Sequence, residues 1–257
     1  MSATPGRVTL EVAVSSPDEA RVAVDAGADR LEVCANLDCG GLTPSVGLVR
    51  EIRRAVAVPI YAMLRPRPGG FRYTPAELRV MQLDADLLLD TGANGVVFGV
   101  LDADGEIDAA ACGELVRRAR GRAVFHRAFD FVRDQRAALA VLVGLGFERV
   151  QTSGRGVTAI DGAEAIARLV EAAGRDIEIL PAGGIRPANV AEVVRRTGCD
   201  QVHGSFRGDE RDPSLSGNVL LAAAMGDGGD GRYRTTDPGL VAATRQELDR
   251  FWRRAMD

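Results

Sequence analysis

Short runs of apolar and β-branched residues alternate along the chain with longer segments in which apolar positions recur at helical spacing. Strands of a buried parallel sheet have the first pattern, and helices that pack one face on such a sheet have the second. Eight apolar runs can be distinguished, at residues 8–14, 30–35, 58–64, 95–100, 123–127, 147–152, 177–181 and 201–204. This order predicts repeated βα units and a parallel sheet.

The segments between the runs carry signals for the start and the end of helices. Starts are marked by the motifs Ser16-Pro17-Asp18-Glu19, Thr74-Pro75-Ala76-Glu77 and Arg186-Pro187-Ala188-Asn189. Ends are marked by glycine in Ala26-Gly27-Ala28-Asp29, Thr91-Gly92-Ala93-Asn94, Gly144-Leu145-Gly146-Phe147 and Thr197-Gly198-Cys199-Asp200. Eight strands with this recurring ending predict an α/β fold of the (β/α)8 TIM-barrel type. An open doubly wound sheet is less favoured, because no GxGxxG motif follows the first run.

The length of 257 residues fits one such barrel, so we expect residues 1–257 to form a single domain. The end of the chain departs from the alternating pattern. Residues 208–234 are rich in Gly, Asp and Ser and predict a flexible loop over the barrel mouth, and residues 238–256 predict a C-terminal amphipathic helix.

Composition narrows the range of functions. The net charge of −4 gives no reason to expect nucleic acid or an anionic membrane as partner, so a small molecule or a metal is the expected ligand. The chain has no lysine, which excludes a Schiff-base aldolase that works through a lysine. Residues 1–7 lack the apolar run of a signal peptide, and the four cysteines form no CxxC pair. We therefore expect a cytoplasmic protein with free thiols.

Two acids lie within predicted buried strands. Glu11 is the centre of Leu-Glu-Val on the first strand, and Glu32 is the centre of the same tripeptide on the second. Adjacent strands lie about 4.8 Å apart, so the two carboxylates are expected to be neighbours. A shared proton, a bound cation or a bridging arginine such as Arg65 or Arg127 would relieve their repulsion. The first and second are catalytic devices, and the third is a structural ion pair.

Further polar residues follow the third and fifth strands, where a parallel barrel places its working groups. Arg65 and Arg67 are expected to grip a carboxylate or phosphate. His126 is expected to act as a general base, with Arg127 and Asp130 beside it. The alternative for His126 is a core histidine whose nitrogens are satisfied.

The loops after the seventh and eighth strands form a phosphate cradle in many barrels. Here they contain Gly183 and Gly184, which precede a predicted helix start, and His203, Gly204 and Ser205. We expect their backbone N–H groups to bind an anion. The alternative is that the glycines only permit tight turns.

Several phrases together resemble the CutC-type copper-homeostasis family, from about residue 10 to residue 207. They are Leu31-Glu32-Val33-Cys34, Gly40-Gly41-Leu42-Thr43-Pro44-Ser45, Arg65-Pro66-Arg67, Gly99-Val100-Leu101-Asp102, Phe125-His126-Arg127-Ala128-Phe129-Asp130, Thr152-Ser153-Gly154 and Val202-His203-Gly204-Ser205. The resemblance implies a cytoplasmic barrel, often a homo-oligomer, that handles copper, with Cys34 as a metal ligand. Many members resemble Leu-Glu-x-Cys on the first strand, where this chain has Ala13. One thiolate is a poor site for Cu(I), and Cys39 could help only if its loop folds inward.

Three functions remain open from the sequence. The resemblance implies copper binding or copper handling. The residues favour an enzyme that acts on a small anionic or phosphorylated metabolite, with Glu11, Glu32 and His126 in proton transfer. A divalent metal held by Glu11, Glu32, His126 and His203 is the third, because carboxylates with two histidines can make an open metal site.

Overall fold

The computed structural model describes residues 7–215, 217–224 and 231–256. Eight parallel strands form a nearly closed barrel, in the order β7-β6-β5-β4-β3-β2-β1-β8, and a bridge between Ala182 and His203 joins the two ends. The strands are β1 (Thr9–Val14), β2 (Arg30–Val33), β3 (Ile60–Met63), β4 (Gly95–Phe98), β5 (Ala123–Phe125), β6 (Arg149–Thr152), β7 (Glu178–Pro181) and β8 (Gln201–Gly204). Each lies within one of the eight predicted runs, so the predicted barrel fold is confirmed.

A helix follows each of the first seven strands. These helices are α1 (Pro17–Asp25), α2 (Val46–Ala55), α3 (Pro75–Asp90), α4 (Ala109–Arg118), α5 (Gln135–Leu145), α6 (Ala163–Ala173) and α7 (Val190–Thr197). Ser16 caps α1, and Thr74 forms a capping box with Glu77 at the start of α3, as the sequence predicts. At the third predicted start, residues 186–188 form a turn rather than a helix. The side chain of Asn189 accepts from the Arg186 N–H and donates to the Gly184 carbonyl, so α7 begins only at Val190.

The segment after β8 is more ordered in structure than its composition indicates. Strands β9 (Arg207–Arg211) and β10 (Arg232–Thr236) pair in an antiparallel ribbon, and α8 (Val219–Ala224) lies between them in the chain. The predicted flexible loop at 208–234 thus contains regular secondary structure in these parts, while residues 216 and 225–230 lie outside the described residues. Its flexibility stays a prediction. Composition misses the ribbon because each strand is stabilised by a partner that lies some twenty residues away in the sequence.

The last helix, α9 (Pro238–Met256), packs against α1 and α7 and completes the outer ring of the barrel. Val241 and Leu248 are fully buried in this contact. Arg245 is also buried, and it donates to the Val8 carbonyl at 2.8 Å and to Asp29 Oδ2 at 3.1 Å. The end of the chain thereby ties down the start of β1. Among the described residues, no helix has the length and apolarity needed to cross a membrane.

Alternation along the strands divides the core into two parts. Residues such as Leu10, Val12 and Val14 face the helices and belong to the large apolar core outside the strands. The intervening residues face the barrel interior, where a separate small apolar cluster lies on the side of β2 to β5 and contains Cys34, Tyr61, Met63, Val97 and Val124. The opposite side of the interior is polar, and that side contains the candidate site.

We predict that Gly95→Ala destabilises the barrel, because a Cβ on this strand would lie 2.5 Å from both the Arg122 carbonyl oxygen and the Tyr61 ring. Overpacking of this kind costs about 1–3 kcal/mol. The matched control is Gly144→Ala in α5, where a Cβ meets nothing within 4 Å, and the free energy of unfolding should rise by up to about 1 kcal/mol. Urea unfolding midpoints measure both. Equal midpoints for the two variants would contradict the packing of Tyr61 against β4.

Candidate functional site

Glu11, Glu32 and His203 meet in the barrel interior. Strand register places Glu11 beside His203 of β8 and two register pairs away from Glu32 of β2. One potential metal-ligating atom from each of the three residues lies within 4.8 Å of the other two. Both carboxylates are almost completely buried, and the His203 side chain is 13% exposed. The structure thus brings the two predicted acids together with His203, which the sequence placed both in the anion loop and in the possible divalent-metal site.

Each carboxylate is fixed through one oxygen and presents the other to the histidine. Glu11 Oε2 accepts from Arg30 Nε, and Glu11 Oε1 lies 2.8 Å from His203 Nδ1. Glu32 Oε2 accepts from Gln151 Nε2 at 2.5 Å, and Glu32 Oε1 lies 4.0 Å from His203 Nε2. The expectation that Arg65 or Arg127 would bridge the acids is wrong. Arg30 supplies the positive charge, because the β1–β2 register places it directly beside Glu11.

The charges set the protonation of the three groups in opposite directions. Burial alone would raise the pKa of Glu11, but Arg30 and His203 outweigh it and hold that pKa far below its usual range. Burial raises the pKa of Glu32, and the charge of Glu11 adds to this effect. Burial alone would lower the pKa of His203, but Glu32 and Glu11 together raise it. Glu11 is therefore the permanent anion, while His203 and Glu32 compete for a proton.

A layer of polar side chains supports this cluster from the side where the strands begin. Arg30 also donates to Gln201 Oε1 at 2.8 Å, and Gln201 donates to Glu178 at 3.0 Å. Arg149 donates to Glu178 at 2.9 Å and to Glu148 at 2.7 Å. Sequence reasoning missed these residues and Gln151. Their signal was present as polar residues two apart within buried strands, in Arg30-x-Glu32, Arg149-x-Gln151 and Gln201-x-His203.

His126 does not belong to the cluster of Glu11, Glu32 and His203. The possible metal site with two acids and two histidines is therefore wrong in including His126. Strand β5 is four places from β1 around the barrel, which puts His126 on the opposite wall. Its ring is buried against Phe71, with ring centroids 4.8 Å apart. Burial and the nearby charge of Arg65 lower the pKa of His126 to about 3. The imidazole is neutral, and its Nδ1 accepts from the Ala128 N–H at 3.2 Å.

Asp130 and Arg127 form a structural network at the end of β6. Asp130 accepts from Arg127 Nε at 2.8 Å, from Thr152 Oγ1 at 2.5 Å and from the Ser153 N–H at about 3.0 Å. Arg127 also donates to Ser153 Oγ at 2.8 Å, and its guanidinium passes 3.0 Å from where a Cβ of Gly183 would lie. Asp130 thereby connects the segment after β5 to the segment after β6.

The two predicted anion-gripping arginines differ in their partners. Arg67 pairs with Glu77 at 2.5 Å, so its charge is already neutralised. Arg65 donates instead to the carbonyls of Cys39, Gly41 and Gly69 at 2.8–3.1 Å. Of these two arginines, Arg65 is the one that makes no salt bridge with a carboxylate of the described residues.

The predicted anion loops after β7 and β8 lie next to one another because of the bridge between Ala182 and His203. Gly183 and Gly184 have φ of +102° and +68°, as a tight turn requires. Gly204 lies under the Phe206 ring, where a Cβ would come within 2.7 Å, and Ser205 is half-buried beside it. The glycine pair does not open directly onto a helix, since α7 begins at Val190. Anion binding at these loops stays a prediction.

Cysteines contribute little to the candidate metal site. Cys34 is fully buried, and its thiol donates to Glu32 Oε1 at 3.4 Å. Burial and the charge of Glu32 raise the pKa of Cys34 well above its usual value. Cys39 Sγ contacts the Asn36 carbonyl, and all four cysteines are free. In the part of the chain that the structure describes, no group of three potential metal ligands includes a cysteine.

We predict opposite effects for the two acids on stability. Glu11→Gln leaves Arg30 and protonated His203 without their anion and should cost roughly 3–5 kcal/mol. Glu32→Gln removes a buried charge and its repulsion with Glu11, so it should be neutral or stabilising. A raised carboxyl pKa lowers stability as pH rises above the usual value of 4.5, so any gain should be larger at pH 8 than at pH 4. Denaturant unfolding at both pH values measures this. A large loss of unfolding free energy in Glu32→Gln would show that this acid has a structural role.

We also predict that the two histidines titrate at opposite ends of the pH range. They are the only histidines in the chain, so their ring signals can be assigned by substitution. His203 should titrate above 6.5, and its titration should move down in Glu32→Gln because its largest stabilising charge is removed. His126 should stay neutral down to about pH 3. Two-dimensional NMR of the imidazole C–H groups measures both. Titration of His203 below 6.5 would contradict the proposed charge balance.

Comparison with known proteins agrees with this architecture. A family model for the CutC family matches residues 8–208. A family protein CutC of Treponema denticola is 43% identical over 215 residues, which are 83% of this chain and 87% of the relative. The human copper homeostasis protein cutC homolog is 43% identical over 220 residues, 84% of this chain and 80% of the relative. The solved structure of a CutC protein from Streptococcus agalactiae has a TM-score of 0.74 at 32% identity and covers 77% of this chain and 98% of that one. The resemblance noted in the sequence is thus confirmed, and the chain belongs to the CutC family.

Proposed function

We propose that this protein handles copper in the cytoplasm and binds it as a divalent ion between Glu11, Glu32 and His203. The observation that carries the proposal is the mutual distance of their potential ligand atoms, all within 4.8 Å. Two carboxylates and an imidazole are donors of the kind that Cu(II) accepts. The name of the human relative, a copper homeostasis protein, supports copper as the ion.

The way in which the acids are held supports metal binding. Ligating carboxylates and histidines in proteins are normally oriented by further hydrogen bonds. Here Arg30 and Gln151 each fix one carboxylate oxygen and leave the other directed at His203. The donors therefore need little rearrangement to surround an ion.

The same donor set argues against Cu(I). Soft Cu(I) is normally held by two or more sulfur ligands. Cys34 is the thiol that contacts Glu32, and its raised pKa keeps it protonated. Ala13 occupies the next inward position of β1, where the family resemblance leads us to expect a second cysteine. The His203 side chain is 13% exposed.

Metal binding at this site must compete with protons. The raised pKa values of His203 and Glu32 mean that at least one proton leaves when both become ligands. Copper affinity should therefore rise with pH across the titration of His203.

A second candidate function is proton transfer on a small anionic metabolite. The specific observation is the contact between His203 Nδ1 and Glu11 Oε1 at 2.8 Å, which orients the imidazole as a carboxylate does in many acid–base sites. In this case His203 would carry the proton, rather than His126. Tight binding of copper would favour the first function. Weak binding of metal ions would favour the second.

We predict that Cu(II) binds the wild-type protein at neutral pH with one ion per chain. Glu11→Gln and His203→Gln should each weaken binding by at least the 10- to 100-fold that is typical for lost supporting contacts, since they remove ligands. Cys34→Ser should bind within about threefold of wild type, like the matched control Cys199→Ser, a buried cysteine near β8. Competition with a calibrated chelator measures all four variants. A large loss confined to Cys34→Ser would place copper on the thiol and contradict the proposed site.

A further inference from the structure

The ends of β3, β4 and β5 form a second polar place in the barrel. The registers Met63 with Val97 and Phe98 with Phe125 align Arg65, Gly99 and His126 as neighbours just beyond these strands. Gly99 is essential to this arrangement, because a Cβ there would lie 2.6 Å from both Cε1 and Nδ1 of His126. The imidazole therefore lies over the end of β4, between the other two strands.

Two buried N–H donors at this place have no partner. Among the described residues, neither His126 Nε2 nor Arg65 Nε makes a hydrogen bond, although both atoms are shielded from solvent. His126 Nδ1 accepts from the Ala128 N–H, which leaves the proton of the neutral ring on Nε2. Arg65 contacts carbonyl groups through its terminal nitrogens, so its positive charge is not cancelled by a carboxylate in the described part of the chain.

Near Arg65, the Tyr73 hydroxyl is a third buried polar group that makes no hydrogen bond of ordinary geometry to any described residue. Burial raises the pKa of Tyr73 to about 12, against the opposing charges of Arg65 and Arg67. The hydroxyl therefore keeps its proton at neutral pH. All three unpartnered groups at this place can donate to an oxygen atom, and Arg65 adds positive charge.

A cleft of about 760 Å³ lies beside this place and has Arg65 in its wall. It is lined by Arg65, Phe71, Leu101 and Phe131 together with polar loop residues. The Phe71 ring lies 5.4 Å from the Arg65 guanidinium and 4.8 Å from the His126 ring. Phe131 lies 5.7 Å from Phe71 and is 68% exposed, which is unusual for a phenylalanine without a partner. The cleft thus combines an apolar wall with buried donors.

We propose that Arg65 and His126 form an anion-binding site for a small organic molecule that carries a carboxylate or phosphate group on an apolar body. The anionic oxygens accept from Arg65 Nε and His126 Nε2, and the apolar body contacts Phe71 and Phe131. His126 acts there as a hydrogen-bond donor, not as the general base that its sequence position indicates. The site is separate from the copper site, and neither proposal depends on the other.

The test is a titration of the whole protein with benzoate, phenyl phosphate, inorganic phosphate and neutral benzyl alcohol, followed by NMR of the two histidine rings. Benzoate or phenyl phosphate should bind saturably and shift the His126 signal, while the His203 signal stays in place. The tighter of the two identifies the anionic group, and weaker binding of inorganic phosphate and benzyl alcohol shows that both parts of the ligand count.

Substitutions then locate the donors. Loss of a hydrogen bond to a charged group weakens binding by about tenfold or more, and we expect this for both His126→Phe and Arg65→Gln. The matched control is Arg72→Gln, which removes an exposed arginine that lines the same cleft and should change affinity less than about threefold. If a variant fails to fold, the wild-type His126 shift still decides. No saturable binding by any of the four compounds, or binding that leaves the His126 signal unmoved, would overturn the proposal.

Discussion

The buried ion pair between Arg30 and Glu11 is the interaction on which the barrel interior depends. A carboxylate in the middle of a buried strand is costly unless a charge and hydrogen bonds compensate it. Arg30 lies directly beside Glu11 in the β1–β2 register and is itself held by Gln201. The Arg30–Glu11 pair on β1 and β2 also involves the neighbouring strands, because Gln201 of β8 donates in turn to Glu178 of β7. Polar residues on β1, β2, β7 and β8 therefore form one connected network.

This network leaves the interior polar on one side and apolar on the other. The apolar side contains Met63, Val97 and Val124, with glycine at two inward positions on or just after β4. Rings from adjacent strands, Tyr61 and His126, occupy the space that these glycines leave. Most TIM barrels fill their interior with branched aliphatic layers. Here the interior contains instead two clusters of buried polar groups, one of Glu11, Glu32 and His203 and one of Arg65 and His126.

The chemistry of those places differs from what single residues indicate. Cys34 suggests a metal site with a sulfur ligand. Its thiol, however, donates a hydrogen bond to Glu32, and the charge of Glu32 opposes formation of the thiolate. His126 suggests a base, yet burial keeps it neutral and the Ala128 N–H occupies its lone pair. The buried charges around each group, not its residue type, decide whether it can bind a metal, move a proton or donate a hydrogen bond.

The sequence alone determined the barrel and the closeness of Glu11 and Glu32 in its interior, because period-two alternation along consecutive strands is a local property that a parallel sheet translates directly into position. The sequence motifs of the family, such as the one around His126, were also recognisable without the structure. The separation of His126 from His203 was decided only by the tertiary structure, since it depends on how β5 and β8, three places apart, close into a barrel. The tertiary structure also decided that Arg30, and not Arg65, is the partner of Glu11. The register between strands is set by the packing of all eight strands and cannot be read from the sequence of one strand.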